Sequence, residues 1–473
     1  MTTVWHTADL LQPRSRALVV GLGRSGRAAA SWLNRRGLSV RVSTAEPENT
    51  IAPDTVAEFA RRGITIEAGG HRPETFMDAD SIILSPGVDP RMELLTAARQ
   101  RRIPVVGETA LALACCPVPA IGISGTNGKS TVTTLMGDIL QKSGKKIFVG
   151  GNLGTPLFEW LEKNEPADLV VLELSSFQLE TLPLLPEAAL DLAMLLNISP
   201  DHLGRYASYD QYAATKMLLF SHQGTHGIAI CNNDDQKTAQ FRHMIDGPRL
   251  RYFGSSGRKC HAWWEGTRIF AKRNGHEPLS IDCGKSFFAT QPNLSNACAA
   301  LCAAQALGVG LEPVQEALFG YMPLDHRMQL VATVNGVPYL DDSKATNIGA
   351  VAAALAAIDR PVLLIAGGRD KGGDYSLLSP LIQQKVKAAL LLGEAQEAMA
   401  RCFAPLTRVE HFSSMAAAVA GAHALAVPGD IVLLSPACAS FDMYASYHHR
   451  GLDFQQAVHS LTAVRSRQKE AAS

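Results

Sequence analysis

The chain has 473 residues, 47% hydrophobic and 19% charged, which suits about three globular domains of ~150 residues each. Its 44 basic and 44 acidic side chains cancel, so no global field draws it onto nucleic acid or an anionic membrane. Nine cysteines, scattered and without a CxxC spacing, read as free thiols of a reducing cytoplasm rather than a disulfide framework or a zinc site. The first residues lack the basic-then-apolar order of a signal peptide. The alanine-rich run Met415–Val427 contains His423 and is too short to span a bilayer, so no membrane insertion is expected.

In chain order, Ala17–Val20 is a buried-strand run. It leads into Gly21-Leu-Gly-Arg-Ser-Gly26, a helix over 27–36 stopped by Gly37, and a strand over 38–42. Strand, GxGxxG turn and helix form the dinucleotide fingerprint, whose backbone N–H groups serve any pyrophosphate. The acidic residue that would hold a ribose is replaced by Ser43-Thr44-Ala45, with Glu46 just beyond. These residues alone leave NAD, FAD and a UDP-sugar open. A helix over 54–62 and strands at 64–66, 81–84 and 104–106 continue the alternation. Ser85-Pro-Gly87 is either a second ligand loop or a plain strand-end turn, and 111–119 reads as a connector.

The run Ile121-Gly-Ile-Ser-Gly-Thr-Asn-Gly-Lys-Ser-Thr131 organises the middle of the chain. A short apolar strand gives way to a glycine-rich loop and then to helical apolar spacing through Leu140. That arrangement wraps backbone N–H groups around phosphates at a helix N-terminus. Lys129 would reach the β/γ-phosphates, and the hydroxyl of Ser130 or Thr131 would sit on Mg²⁺. The general P-loop pattern fails by one position, because Ile123 stands where its first glycine belongs.

Strand-end loops follow one after another. Gly150-Gly-Asn152 closes a strand over 145–149. Glu173 closes Leu169–Leu172, where a carboxylate in a P-loop domain is placed for Mg²⁺ or for a helix dipole. Asp201-His202 lies past a strand over 192–196. A helix over 209–220 carries Lys216 on the face of Tyr212 and Phe220, and such a lysine ordinarily snorkels to water. The stretch 246–289 reads as a strand-and-loop insert, and a helix runs over 297–307. Beyond Leu324 the strands 338–340, 362–366, 388–392 and 431–434 alternate with helices, as in a doubly wound parallel sheet. Its loops carry Asp342, Lys344, Thr346, Lys371 and Ser440, and two lysines with hydroxyls suit a dicarboxylate. An NAD-dependent oxidoreductase would leave the P-loop idle. A nucleotide switch would leave the loops at Glu173, His202 and Lys344 without a task.

Together GTNGKST (Gly125–Thr131), Gly150-Gly-Asn152, Glu173-Leu-Ser-Ser-Phe-Gln-Leu-Glu180, Asp201-His202 and Leu434–Ser440 resemble the Mur ligase family. The likeness runs in unbroken order from about Ala17 to Phe454, and it points to the branch that adds glutamate to UDP-N-acetylmuramoyl-L-alanine. It implies an α/β chain of three domains. These are a Rossmann-like UDP-sugar-binding domain over 1–116, a P-loop ATPase domain over 117–322 and a Rossmann-like glutamate-binding domain over 323–473. The implied activity is an ADP-forming amide ligase of peptidoglycan synthesis, cytoplasmic and monomeric. UDP-N-acetylmuramoyl-L-alanine and D-glutamate would be its substrates, ATP and two Mg²⁺ its cofactors. Another Mur ligase, a folylpolyglutamate synthetase-like ligase, or a variant using L-glutamate are the alternatives.

The resemblance also implies roles. Gly125, Thr126, Asn127, Gly128, Lys129, Ser130 and Thr131 would cradle ATP, with Asn293 and Asn296 by the adenine, Arg327 on the phosphates and Asp342 on the ribose. Ser130 and Glu173 would hold one Mg²⁺; His202 and Lys216, carbamylated by CO₂, would hold the second. Arg24, Ser25, Ser85 and Gly87 would meet the UDP moiety, and Asn152, Ser175 and Gln178 the rest of that substrate. Lys344, Thr346, Lys371, Ser440 and the ring of Tyr447 would receive glutamate, with Lys344 also catalytic.

Overall fold

The structure, a computed structural model, describes residues 3–202, 204–273 and 275–472. The chain divides into two compact units. One comprises Met1–Ile198, Ala213–Ser286 and Leu294–Gly320; the other comprises Ser199–Tyr212, Phe287–Asn293 and Tyr321–Ser473.

Among the described residues of the first unit the strands form two sheets. The N-terminal one contains β1 (Arg16–Val20), β2 (Ser39–Ser43), β3 (Thr65–Glu67), β4 (Ser81–Leu84) and β5 (Val105–Gly107), in the parallel order β3-β2-β1-β4-β5. The short apolar runs seen in the sequence become its strands because both faces are covered, as parallel sheets require. The second sheet contains β6 (Ala120–Ser124), β7 (Ile147–Gly151), β8 (Leu169–Glu173), β9 (Leu192–Leu195), β10 (Ile228–Asn232), β11 (Arg249–Gly254), β12 (Ala262–Glu265), β13 (Arg268–Arg273) and β14 (His276–Asp282). Their order is β14-β13-β12-β11-β10-β9-β6-β8-β7. β6 runs parallel to both its neighbours, β8 and β9, so the loops after β6, β7, β8 and β9 leave from one edge. The expected insert supplies β11–β14, of which the last three pair antiparallel.

One expectation needs correction here. The stretch 111–119 is not a plain connector, because Glu108–Ala114 is helical and starts directly at the end of β5. Its residues Glu108 to Leu113 are all buried, so the segment is core rather than linker. The two sheets of this unit are clasped by packing of helix Arg24–Arg35 on helix Leu157–Lys163, with Trp32 and Phe158 rings 4.9 Å apart.

The second unit is built on β15 (Gln329–Val334), β16 (Val337–Asp341), β17 (Val362–Gly367), β18 (Val386–Leu392), β19 (Arg408–Phe412) and β20 (Ile431–Leu434), in the order β15-β16-β20-β17-β18-β19. From β16 to β19 the sheet is parallel, as expected. β15 departs from that pattern and pairs antiparallel with β16 through the two-residue turn Asn335-Gly336, both at positive φ. An Asn-Gly pair between apolar runs is the type I′ hairpin signal, and it was legible at Val334-Asn-Gly-Val337. The apolar strands bury two clusters, one on each face, around Leu364, Leu391 and Phe403 and around Ile365, Leu390 and Phe454.

Gly367 ends β17 at φ +119°, and a Cβ there would lie 1.9 Å from the carbonyl oxygen of Leu392. Backbone cannot yield as a side-chain tip can. Gly367→Ala should therefore destabilise the protein by about 1–3 kcal/mol through strain and overpacking. A thermal melt of the purified variant checks this, and an unchanged midpoint would contradict it.

Candidate active site

The phosphate-type loop joins β6 to helix Lys129–Lys142. Gly128 sits at the helix N-cap with φ +84°, and a Cβ on it would come within 2.5 Å of Asn296 Oδ1. Asn296 therefore lies against the loop, and glycine is required on both counts. Asn197, just past β9, fixes the loop from the other side. Its carbonyl accepts from Thr126 N (2.9 Å), its Oδ1 accepts from Asn127 N (2.9 Å), and its Nδ2 donates to Asn127 O (3.0 Å). Asn197 was missed in the sequence, although it ends a strand on the same edge as β6 and β8.

The carbonyl oxygen of Gly125 receives two ammonium groups. Lys129 Nζ donates to it at 2.9 Å and to Thr126 O at 2.8 Å, while Lys216 Nζ donates to it at 2.9 Å. Lys216 is only 1% exposed, so it does not snorkel to water as a lysine on an apolar face ordinarily would. Ser130 and Thr131 are buried in the first turn of the helix.

The loops after β7 and β8 meet beside this one. Gly151, at φ +94°, lies against the backbone of Glu173, where a Cβ would be 2.5 Å from Glu173 O. That approach lets Asn152 N donate to Glu173 O (2.9 Å) and Asn152 Nδ2 to Glu173 Oε1 (2.6 Å). The Glu173 carboxylate is buried. Ser175 and Gln178 form a capping box that opens a short helical turn, and Ser124 Oγ donates to Leu174 O at 2.8 Å. Gln178 turns inward: its Nε2 donates to Thr109 Oγ1 at 3.0 Å. Thr109 in turn donates to Glu108 Oε1 at 2.6 Å, and burial pushes the Glu108 carboxyl up to about 7. Neither Glu108 nor Thr109 was singled out in the sequence, because their partner lies 69 positions away.

In the N-terminal sheet the GxGxxG turn has its expected close approach, with a Cβ on Gly26 only 2.1 Å from Gly21 O. Ser85 Oγ donates to that same carbonyl at 3.2 Å, so the Ser85–Gly87 turn is laced to the first glycine. Ser25 lies in the first turn of helix Arg24–Arg35. The Arg24 guanidinium reaches across to Glu159 Oε2 (3.0 Å) and Gly154 O (2.9 Å). Arg24 thus helps clasp the two sheets of this unit. Asn293 opens the helix Asn293–Ala306.

In the second unit, loops leave the parallel sheet edge after β16, β17 and β20. Asp342 is buried; its Oδ2 accepts from Ser435 Oγ at 3.0 Å and its Oδ1 from Met328 N at 3.3 Å. Burial pushes its carboxyl up to about 7, against the opposing pull of Ser435 and the Arg327 charge. Lys344 Nζ lies 3.9 Å from the centre of the Tyr447 ring, a cation–π contact. Lys371 Nζ donates to Thr346 O (3.1 Å) and meets Asp201 Oδ1 at 3.5 Å, while Asn347 Nδ2 donates to Asp201 Oδ2 at 3.2 Å. His202, at φ +55°, donates its N–H to Asp201 Oδ1. Asp201, His202, Thr346, Asn347, Lys371 and Tyr375 help line a cavity of about 480 Å³. Ser440 is buried, its carbonyl accepting from Met443 N and Tyr444 N.

Two buried groups brace these loops and were not read from the sequence. Arg450, 1% exposed, donates to Ser343 O (2.8 Å) and Cys438 O (3.1 Å), and burial lowers it to about 10. His326 bonds Asp341 Oδ2 through Nδ1 (2.7 Å), and its carbonyl accepts from Lys344 N (3.1 Å). Among the described residues no three His, Cys, Asp or Glu side chains gather as an all-protein metal cage would need. Among them, too, no helix is long and apolar enough to cross a membrane.

The chain matches three family domains in order: the MurD-like N-terminal domain of Mur ligases over residues 15–107, the Mur ligase middle domain over 123–304, and the Mur ligase glutamate ligase domain over 326–438. It is 40% identical over 446 residues to the UDP-N-acetylmuramoylalanine–D-glutamate ligase of Desulfosudis oleivorans, covering 94% of this chain and 96% of that one. It is 38% identical over 449 residues to the protein of the same name from Koribacter versatilis, covering 94% and 97%. In fold it is similar to the MurF ligase of Thermotoga maritima in complex with ADP, with a TM-score of 0.57, 16% identity, and 97% and 98% of the two chains covered.

The Asp342 carboxyl holds its proton more tightly folded than unfolded. Its contribution to folding is therefore full below the ordinary carboxylate range and is lost as pH rises through about 7. Asp342→Asn should remove that loss. Relative to the variant, wild type should lose roughly 2 kcal/mol between pH 5.5 and 8. Thermal melts of both proteins at the two pH values check this; parallel pH trends would contradict it.

Proposed function

The chain belongs to the Mur ligase family, and from that premise we propose that it joins D-glutamate to UDP-N-acetylmuramoyl-L-alanine in peptidoglycan synthesis, forming ADP from ATP. The observation that carries the chemistry is the Gly125 loop, closed by Lys129 and Lys216 beside the buried Glu173. Relatives of that activity, alike over nearly their whole length, support the choice of substrates. Residues 1–116 bind the UDP-sugar, 117–322 bind ATP, and 323–473 receive glutamate. The protein acts as a monomer in the cytoplasm, where its free cysteines are at home.

A carboxylate is a poor electrophile, so activation precedes amide formation. An oxygen of the alanyl carboxylate attacks the γ-phosphorus and ADP departs, leaving an acyl phosphate. The glutamate amine then attacks the acyl carbon, and the tetrahedral intermediate expels phosphate to leave the amide. The Gly125–Thr131 loop, opening helix Lys129–Lys142 at Gly128, cradles the phosphates, and Lys129 and Arg327 neutralise charge on the transferring group. Asn293 and Asn296 flank the adenine, and Asp342 accepts from the ribose. Arg24, Ser25, Ser85 and Gly87 orient the UDP moiety. Asn152, Ser175 and Gln178 shape the loops that meet the muramoyl-alanine end. Thr346, Lys371, Ser440 and Tyr447 orient glutamate, and Lys344 stabilises charge at its amine transfer.

Oxygen donors suit hard cations: the Ser130 hydroxyl and the buried Glu173 carboxylate would hold one Mg²⁺, and the family resemblance assigns a carbamylated Lys216 and His202 to a second. Bound there, two Mg²⁺ would offset phosphate charge. Carbamylation needs a neutral amine, and at Lys216 a second ammonium already occupies the same carbonyl oxygen. The neutral amine adds to CO₂ and releases one proton.

The direct test is ADP release by purified protein with ATP, Mg²⁺ and UDP-N-acetylmuramoyl-L-alanine across a panel of amino acids. D-glutamate should give turnover; a preference for L-glutamate or for another amino acid would overturn the assignment. Lys129→Ala should lower kcat on the order of 10²–10³-fold with the fold intact. Wild-type turnover in that variant would remove the phosphate role. Lys216→Ala should be nearly inactive and partly rescued by acetate, which supplies a carboxylate oxygen, whereas Lys216→Arg should stay inactive. An active Lys216→Arg enzyme would end the carbamate idea.

A further inference from the structure

Glu108 and Thr109 open the helix that leaves the C-terminal end of β5, in the N-terminal sheet. Their side chains turn away from that sheet's own loops. Thr109 Oγ1 donates to Glu108 Oε1 at 2.6 Å and accepts from Gln178 Nε2 at 3.0 Å. All three residues are at least nine-tenths buried. A carboxamide has two distinct ends, and both of Gln178's are committed. Its Oε1 accepts from Ser175 N (2.9 Å) and Ser175 Oγ (3.0 Å), and its Nε2 faces Thr109. A flipped amide would set Nε2 against the Ser175 N–H and Oε1 toward a carboxylate-bonded hydroxyl, losing bonds at both ends. The direction of the amide is thus held at both ends, by Ser175 at Oε1 and by Thr109, backed by Glu108, at Nε2.

The chain of bonds continues to the chemistry. Ser175 begins two residues after Glu173, and Leu174 O accepts from Ser124 Oγ at the end of β6, where the phosphate loop starts. Close packing supports the same seam, since a Cβ on Gly107 would lie 2.1 Å from Thr181 Oγ1. The N-terminal sheet therefore touches the Glu173–Ser175 loop through one polar line, Glu108–Thr109–Gln178–Ser175.

We propose that Glu108 and Thr109 are positioning residues, which orient the Gln178 amide and through it hold the Glu173–Ser175 loop in register with the UDP-sugar domain. The proposal rests on the ligase reading above, because it is the alanyl carboxylate that this register would bring to the γ-phosphate. A small misplacement of reacting groups costs rate rather than nucleotide affinity.

Three variants test it: Thr109→Val, which keeps the shape and removes the hydroxyl; Thr109→Ser, which restores the hydroxyl; and Glu108→Gln. Steady-state kinetics with ATP, UDP-N-acetylmuramoyl-L-alanine and D-glutamate should show kcat lowered about 10-fold in Thr109→Val, with KM for ATP within about twofold of wild type. Thr109→Ser should recover kcat to within about twofold, and Glu108→Gln should fall between. The side-chain amide protons of Gln178, followed by hydrogen exchange in nitrogen-labelled protein, should be protected in wild type and Thr109→Ser and exposed in Thr109→Val. Wild-type kcat in Thr109→Val, equal loss in Thr109→Ser, or unchanged Gln178 protection would overturn the proposal. So would a rate loss that merely tracks the unfolded fraction in a melt. If wild type itself lacks D-glutamate-dependent ADP release, the ligase reading fails instead, and the exchange experiment still decides whether the brace exists.

Discussion

One carbonyl oxygen, that of Gly125, ties the chemistry of the first unit together. Two lysine side chains from different parts of the chain donate to it, one from the loop's own helix and one from the helix at Lys216. Asn197 holds the loop from the other side, taking the N–H groups of Thr126 and Asn127 and the Asn127 carbonyl, so the turn into helix Lys129–Lys142 at Gly128 is fixed before any phosphate arrives. Glycine at 125 and 128 follows from positive φ and from the press of Asn296. Removing either lysine leaves the Gly125 carbonyl with the other as its side-chain donor, so the loop's shape and its charge are not independent.

The sheets explain why this loop has neighbours of the right kind. Parallel pairing of β6 with β8 and β9 sends their C-terminal ends to one edge, as ligand sites of open α/β sheets require. Asn197, Glu173 and Asn152 follow from that single topological fact. The second unit repeats the device: β16, β17 and β20 are parallel, and Asp342, Lys371 and Ser440 leave from their ends. Behind these loops stand buried polar braces, Arg450 on Ser343 and Cys438, and His326 on Asp341. Such groups stay buried only because each finds partners, and in doing so they fix loops that face a ligand.

Much of this was legible in the sequence, for local reasons. Strand, glycine loop and lysine lie within eleven residues, so the phosphate loop and its helix can be read directly. Apolar runs ending in Glu173 or Asp201 mark strand ends without any tertiary knowledge. What was not legible depends on long-range partners. Lys216 reads as a snorkelling surface lysine until its partner 91 positions earlier is known. Glu108 and Thr109 carry no signal of their own until Gln178, far along the chain, arrives beside Thr109. Strand β19 is a half-exposed edge strand with no clean alternation, and the Asn335-Gly336 hairpin was overlooked despite its signal. The helix Glu108–Ala114 was hidden because a short apolar run beside prolines looks like a link.

The central claim is that ATP activates a carboxylate as an acyl phosphate on this chain's own residues. Supplying UDP-N-acetylmuramoyl-L-alanine with both terminal carboxylate oxygens labelled with oxygen-18 tests it by mass spectrometry of the products. The account predicts one labelled oxygen in each inorganic phosphate released, with the other retained in the new amide. Unlabelled phosphate accompanying amide formation would contradict it.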